Sequence, residues 1–323
     1  MTVLDDLARS VRGRLAHAAL AVGRADETQV FGISAAPDAP PMGPDAPIRV
    51  ASISKVVTGQ VVRAAAAPGA TVDVAGRRIA LDALLGHVSG LRDGAGLVPA
   101  DGRSPVQMAG DAEWGPPVFD YCNLGYALAA DAVLGAGFGE AASAWLAAWG
   151  IEGGFNWSGV PDEAWARAVP CLRRTDRSFV AQIDGAGPAP APKAAGAGAF
   201  SPQGGLRTSL RGCLALARAI PAMDRTVLHD PGPARPTDLF DRYGPGLMIL
   251  RRPAFYPRAL IGHFANAYGL CGGIWHDAEA GLSFAYLLNG LPEGDEDDAL
   301  RPVEREIFGA MAAIAVGGGG KLA

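Results

Sequence analysis

The segment R-V-A-S-I-S-K-V-V-T-G-Q-V-V, residues 49–62, is apolar on nearly every side when wound as a helix. Such a helix cannot lie on a surface and has to be buried on most of its faces. A chain that carries it needs several layers of structure around it. The 323 residues, 49% of them hydrophobic, are enough to build that core as one large domain or two coupled lobes. Inside the apolar stretch sits Lys55. Only three of the 28 basic residues are lysines, the others being Lys193 and Lys321, and the remaining 25 are arginines. A bias toward Arg, Ala, Gly and Pro codons accounts for the scarcity. It does not account for a lysine kept where the surroundings are apolar.

Apolar runs at Ala18–Val22 and Thr28–Ser34, separated by G-R-A-D-E, predict a β-hairpin after an amphipathic helix over 3–16. A Pro/Asp/Gly-rich loop covers 35–47. Helical periodicity with Gly and Pro breaks runs from about 75 to 185, for example at Leu81–Leu85, Leu124–Leu134 and Ala141–Trp149. A Gly/Pro/Ala-rich linker follows at 185–199. Beyond a helix at Leu210–Ile220, strand-like runs dominate: Gly246–Leu250, Ala259–Phe264, Leu270–His276 and Leu282–Leu288. A last helix covers 299–316. Strands at both ends with helices between them predict an α/β (α+β) fold. Its antiparallel sheet is built from the N- and C-terminal segments (1–74 and 195–323) and flanked by helices, with an all-helical lobe inserted at 75–194. A small-molecule site is expected in the crevice between the lobes.

Several function classes are excluded at this level. A net charge of −5 is not the footprint of a nucleic-acid binder. The longest apolar stretch, 307–320, is too short to span a bilayer. The acidic cluster 293–298 reads as a solvated loop. The N-terminus has two early aspartates and no apolar core of signal-peptide length, so the cytosol is the expected compartment. The four cysteines and five histidines show no metal-ligand spacing, and neither G-A-G-F-G at 135–139 nor the C-terminal G-G-G-G-K suits a nucleotide. No cofactor and no metal are expected.

The chemistry concentrates at Ser52-Ile53-Ser54-Lys55. If Ser52 occupies the first turn of the helix, Lys55 lies three residues on, on the same face. The helix start offers N–H groups for an oxyanion. Burial disfavours the ammonium, and a neutral amine beside a hydroxyl is a general base. Arginine cannot take that part, because it stays protonated. The same residues also suit an N-capping serine with a snorkelling lysine. Tyr121 and Asn123 in D-Y-C-N-L-G-Y precede a helix; a tyrosine beside the lysine can shuttle a proton, and an N-cap with a packed ring reads equally well. His87, in L-L-G-H-V-S-G-L, reads as a structural histidine. Ser89 is in no G-x-S-x-G elbow.

Taken together, R-V-A-S-I-S-K, L-L-G-H-V-S-G-L, Y-C-N-L-G-Y, S-P-Q-G-G-L-R-T-S and G-H-F-A-N-A-Y-G resemble, in order and spacing, the serine β-lactamase/penicillin-binding-protein superfamily. The likeness is to its class C-like branch, which also holds D-aminopeptidases and esterases. It runs from about residue 15 to the final helix. The resemblance implies that Ser52 is acylated, that Lys55 is its base and that Tyr121 assists proton transfer. It implies that Asn123 contacts substrate, and that the N–H groups of Ser52 and Asn266 form the oxyanion hole. The family's third motif falls on His263-Phe264-Ala265, where Lys-Thr-Gly or His-Thr-Gly is usual. His263 can give only partial charge near neutral pH, Phe264 no hydrogen bond, and Ala265 adds a methyl. A substrate carboxylate would be held less well there. Phe264, Tyr268 and Trp275 are candidates to line the pocket, although strand alternation admits only some and Trp275 reads as core. Cys122 or Cys271 paired with His263 as a nucleophile is disfavoured.

The expected function is a serine hydrolase that forms an acyl-enzyme on a small, neutral or apolar ester or amide, foremost an esterase. A D-amino-acid amidase or peptidase comes second and a β-lactamase third. The rival of another class is a catalytically quiet ligand-binding member of the fold.

Overall fold

The structure, a computed structural model, describes residues 15–25, 27–34, 42–94, 103–158, 160–176, 178–184, 201–232, 241–251, 253–292 and 300–317. All but the last two residues of the helix read over 3–16 lie outside them, as do the linker 185–199, the acidic cluster 293–298 and the glycine-rich tail.

The two N-terminal apolar runs form the predicted hairpin, β1 (His17–Arg24) and β2 (Glu27–Ser34). From the other end of the chain come β10 (Arg242–Tyr243), β11 (Met248–Leu250), β12 (Leu260–Ala267), β13 (Leu270–Asp277) and β14 (Leu282–Asn289). They join in one antiparallel sheet of order β10-β11-β12-β13-β14-β1-β2, closed by His17 opposite Asn289 and Arg24 opposite Leu282. β1 and β14 do not alternate polar with apolar, because helices cover both faces. On one face lies α8 (Leu210–Ala219), which packs on β1, β13 and β14. On the other lies α9 (Pro302–Val316), whose Phe308 meets Phe264, Trp275, Phe284 and Tyr286 at ring-centroid distances of 5.7 to 6.0 Å. Trp275 is fully buried there, as core.

The buried helix is α1 (Ser54–Ala65), every residue of which from Ser54 to Val62 is buried. It packs against α4 (Asn123–Leu134), α5 (Phe138–Ala148) and the single turn α7 (Ser201–Gly204). The remaining helices are short: α2 (Leu81–Leu85), α3 (Pro105–Asp111) and α6 (Asp162–Trp165). The stretch read as an all-helical insertion also holds strands. A hairpin of β4 (Thr71–Val74) and β5 (Arg77–Ala80) leads into it. Further on, β6 (Gly153–Phe155) pairs with β9 (Leu206–Thr208), which also pairs with β3 (Ile48–Arg49). β7 (Cys171–Arg174) lies between β8 (Phe179–Ile183) and β15 (Leu291–Pro292). These strands are two to five residues long, below the length at which period-two patterning separates from chance.

Two positions carry the geometry toward the site. β3 delivers the chain into a 3₁₀ turn at Ala51–Ile53, with Ala51 at φ +46°. β12 and β13 turn on Tyr268 and Gly269, both left-handed (φ +57° and +77°), the pair of angles a two-residue hairpin of this twist requires. β11 pairs with β12 at Leu260–Gly262, so among the described residues that edge of the sheet has no strand beside it from His263 onward. The 51–53 turn packs against β12.

Candidate active site

Ser52 sits in the 3₁₀ turn, two residues before α1 begins, rather than in the first α-helical turn. The reason is Ser54. Its hydroxyl donates to the Ala51 carbonyl at 2.5 Å and accepts the N–H of Leu206 at 3.0 Å, which ties the tight turn to β9. The spacing to Lys55 is unaffected. Ring-closing bonds in the turn begin with the Ile53 N–H to the Val50 carbonyl, so the turn itself supplies no acceptor for the Ser52 N–H.

Lys55 is completely buried, and its Nζ has three neighbours. These are Ser52 Oγ at 3.1 Å, Asn123 Oδ1 at 2.6 Å and the Gln203 carbonyl at 3.1 Å. Burial brings its pKa down from 10.5 to about 7; Asp93 opposes that and Arg49 adds to it. In the neutral form an amine has two N–H donors and one lone pair. Two of the three neighbours are carbonyl oxygens that can only accept, and the third is a hydroxyl that can donate. The arrangement therefore assigns the lone pair to Ser52, as a general base requires.

Tyr121 lies with its ring 4.7 Å from Lys55 Nζ, stacked at 4.4 Å on His87. His87, buried with φ +58°, accepts the Cys122 N–H at Nδ1, and burial keeps it neutral. It supports the tyrosine, as a structural histidine would. Asn123 opens α4 beside Lys55. Its Oδ1 faces the amine and its Nδ2 donates to Asp93 Oδ2 at 2.7 Å, so both ends of the amide expected to meet substrate are engaged within the protein. Asp93 also accepts the N–H groups of Asn123 and Leu124, at 2.8 and 2.9 Å, and the Cys122 thiol. It caps the helix and fixes the amide that holds the lysine. No reading of local spacing singles out Asp93, which is thirty residues from what it orders. Burial pushes the Cys122 thiol up, away from any thiolate.

On β12 the expected third motif divides across the two faces of the sheet. His263 and Ala265 are buried on the side of the 51–53 turn, and Tyr121 lies 6.3 Å from the histidine ring. Phe264 points to the other side, 4.6 Å from Trp275, and does not line the site; strand alternation corrects that expectation. His263 supplies no charge either. Its Nδ1 bonds the Phe264 carbonyl, so Nδ1 carries the proton and Nε2 accepts from Tyr243 at 2.8 Å. Burial, with Lys55 nearby, lowers its pKa to about 3. The Asn266 side chain accepts from Arg301 on the α9 side, leaving its backbone as the part near the site. Tyr268, at the hairpin tip, stacks beneath the Arg49 guanidinium at 4.6 Å. Ser52, Lys55, Tyr121, Asn123 and the site-facing half of β12 are thus brought together, and Phe264 is not. Gln203 and Tyr243 join them unforeseen. The first acts through its backbone, and the second lies in a two-residue strand with no motif.

The chain as a whole is matched by known proteins. The model of the Beta-lactamase family matches residues 4–307. The chain belongs to the beta-lactamase family. A search of curated proteins gave no match. Among solved structures, a D-amino acid amidase from Ochrobactrum anthropi SV3, complexed with L-phenylalanine amide, is similar at 18% identity and a TM-score of 0.71, with 98% of this chain and 97% of that one covered. A beta-lactamase/D-alanine carboxypeptidase from Yersinia pestis gives 16% identity, a TM-score of 0.69 and 97% coverage of both chains. A class C beta-lactamase from Rhodobacter sphaeroides gives 16% and 0.69 over 97% and 99%. At these identities the likeness shows the beta-lactamase fold, whose family members are serine hydrolases. No helix of the described residues is long and apolar enough to cross a membrane.

Proposed function

We propose that the protein hydrolyses a small ester through an acyl-enzyme on Ser52. The observation that carries this reading is the fully buried Lys55, which as an ammonium donates to Ser52 Oγ, Asn123 Oδ1 and the Gln203 carbonyl and which, once burial has drawn off its proton, keeps the two carbonyl bonds and has its lone pair left for Ser52 Oγ. As Oγ bonds to the carbonyl carbon, its proton passes to Lys55. The N–H groups of Ser52 and Asn266 hold the oxygen that becomes negative. Collapse breaks the bond to the leaving alkoxide, which takes the proton through Tyr121. Water then adds to the acyl carbon, giving up a proton to the same pair, and releases the acid and free Ser52.

The neutral His263 on β12 favours a leaving group without a carboxylate. That places β-lactams and D-alanyl-D-alanine behind simple esters. Amide hydrolysis is the second reading, favoured by the likeness to a D-amino acid amidase. A fluorophosphonate probe tests the proposal: Ser52 is labelled in the native protein and labelling is lost in Ser52→Ala. Folded protein that takes no label overturns it and leaves the quiet ligand-binding reading. Rates on p-nitrophenyl esters, D-alanyl p-nitroanilide and nitrocefin, measured side by side, then rank ester, amide and β-lactam.

A further inference from the structure

Arg49 precedes Ser52 by three residues and is only 6% exposed, yet Nε and Nη1 of its guanidinium have no hydrogen-bond partner. The groups that act on it electrostatically are Cys171, Arg207, Tyr268 and Asp184. Only Asp184 is a carboxylate, and it is already taken. Arg207, the residue opposite Arg49 across β3 and β9, holds both Asp184 oxygens at 3.0 Å, with both side chains about 95% buried. Cys171 does not help, because burial pushes its thiol up to about 12. Two buried guanidinium groups therefore share one carboxylate, and like charges face each other across the strands. Stacking on Tyr268 offsets part of the cost of burying the cation without neutralising it.

The position of the unpaired cation relates it to the reaction. Arg49 Nη2 lies 2.7 Å from where a Cβ on residue 204 would be, so Gly204 makes room for it. The neighbouring Gln203 carbonyl is the one that holds Lys55. Arg49 and Tyr268 thus stand at the hairpin-tip end of β12, while Tyr121 and His263 stand farther back along it, at mid-strand. Under the hydrolase reading, on which this inference rests, Tyr121 protonates the leaving group, so the acyl part of a substrate extends toward Arg49.

We infer that the acyl half of the substrate carries a carboxylate, which pairs with Arg49 between Tyr268 and Gly204. The carboxylate-holding group absent at His263 is present, as an arginine, toward the hairpin tip. The substrate class is then a monoester or monoamide of a dicarboxylic acid, or an acidic aminoacyl derivative, with a neutral leaving group. This replaces the expectation of a neutral acyl group.

Ser52→Ala protein, which cannot be acylated, tests the inference apart from turnover. Monomethyl glutarate and dimethyl glutarate are titrated by calorimetry at pH 8.5, where Lys55 is mostly neutral. The monoanion is expected to bind at least about ten-fold more tightly, as one charge-assisted pair supplies. Adding Arg49→Gln should remove that preference. Adding Gly204→Ala keeps the charge but puts a methyl against Nη2, and should reduce it. Equal binding of the two probes, binding of neither, or a preference that survives Arg49→Gln overturns the inference. A preference for the monoanion in protein whose Ser52 takes no fluorophosphonate label overturns the hydrolase reading alone.

Discussion

Two buried cations flank Ser52, Arg49 three residues before it and Lys55 three residues after, and they meet burial in opposite ways. Lys55 has every donor matched and can shed its proton, so desolvation becomes a shift to about 7 and a usable base. Arg49 keeps its charge at any accessible pH, so the same desolvation leaves it with two nitrogens unpartnered. Burial tunes the first and leaves the second short of an anion. On the proposed reading the lysine belongs to the reaction step and the arginine to recognition.

Exchanging the properties at Lys55 breaks the comparison most strongly. Lys55→Arg retains a cation but cannot accept a proton. Ester turnover should fall by about 10³-fold, the scale of a lost general base, with folding checked by circular dichroism. Activity within ten-fold of native would remove Lys55 as the base. Next is the partner that Arg49 lacks and Arg207 has. Asp184→Asn leaves two buried guanidinium groups with no carboxylate and should cost about 3 kcal/mol in urea unfolding. A change below about 1 kcal/mol would mean the pair at Asp184 is not what holds the two charges apart.

Asp93 sets the comparison more finely, because it is the charge that holds Lys55 as high as about 7. In native protein kcat/KM for an ester should rise as pH increases through 7, as Lys55 loses its proton. Asp93→Asn withdraws the attraction for the ammonium, so the rise should move to lower pH, by about one unit, with a stability loss of about 1 kcal/mol at the α4 cap. A rise that stays put would show that Asp93 orders Asn123 without acting on the lysine.

How far these roles were legible in the sequence follows from how local each one is. Ser52 and Lys55 are three residues apart on a helix start, and a lone buried lysine among arginines draws attention to itself. The hairpin at the N-terminus and the long strands β12 to β14 show in their apolar runs for the same reason. Asp93, Gln203 and Asp184 do not, since each meets its partner only after the chain has folded back over twenty residues or more. Gln203 acts through its backbone, which no residue type reveals. Phe264 is a different case: strand alternation admits only some of Phe264, Tyr268 and Trp275 to the site but does not say which face is which, and that is decided only by the packing of Phe264 on Trp275 and Phe308.

The smallest predicted effect concerns a third group that can carry charge, His263, which marks the far limit of what burial does. Lys55 is poised between its two states and Arg49 is fixed as a cation, whereas His263 is held neutral at about 3 with both ring nitrogens bonded inside the protein. Its charge therefore plays no part at any pH where the enzyme is folded and Lys55 titrates. His263→Gln keeps an acceptor for the Tyr243 hydroxyl and a donor toward the strand. It should cost about 1 kcal/mol of stability, one imperfectly replaced hydrogen bond, and leave the pH dependence of kcat/KM where it was. The glutarate preference should also persist, because the anion is assigned to the hairpin-tip end of β12. If the pH profile moves, or the preference falls with it, then His263 carries charge in the working site and the division of labour along the strand is wrong.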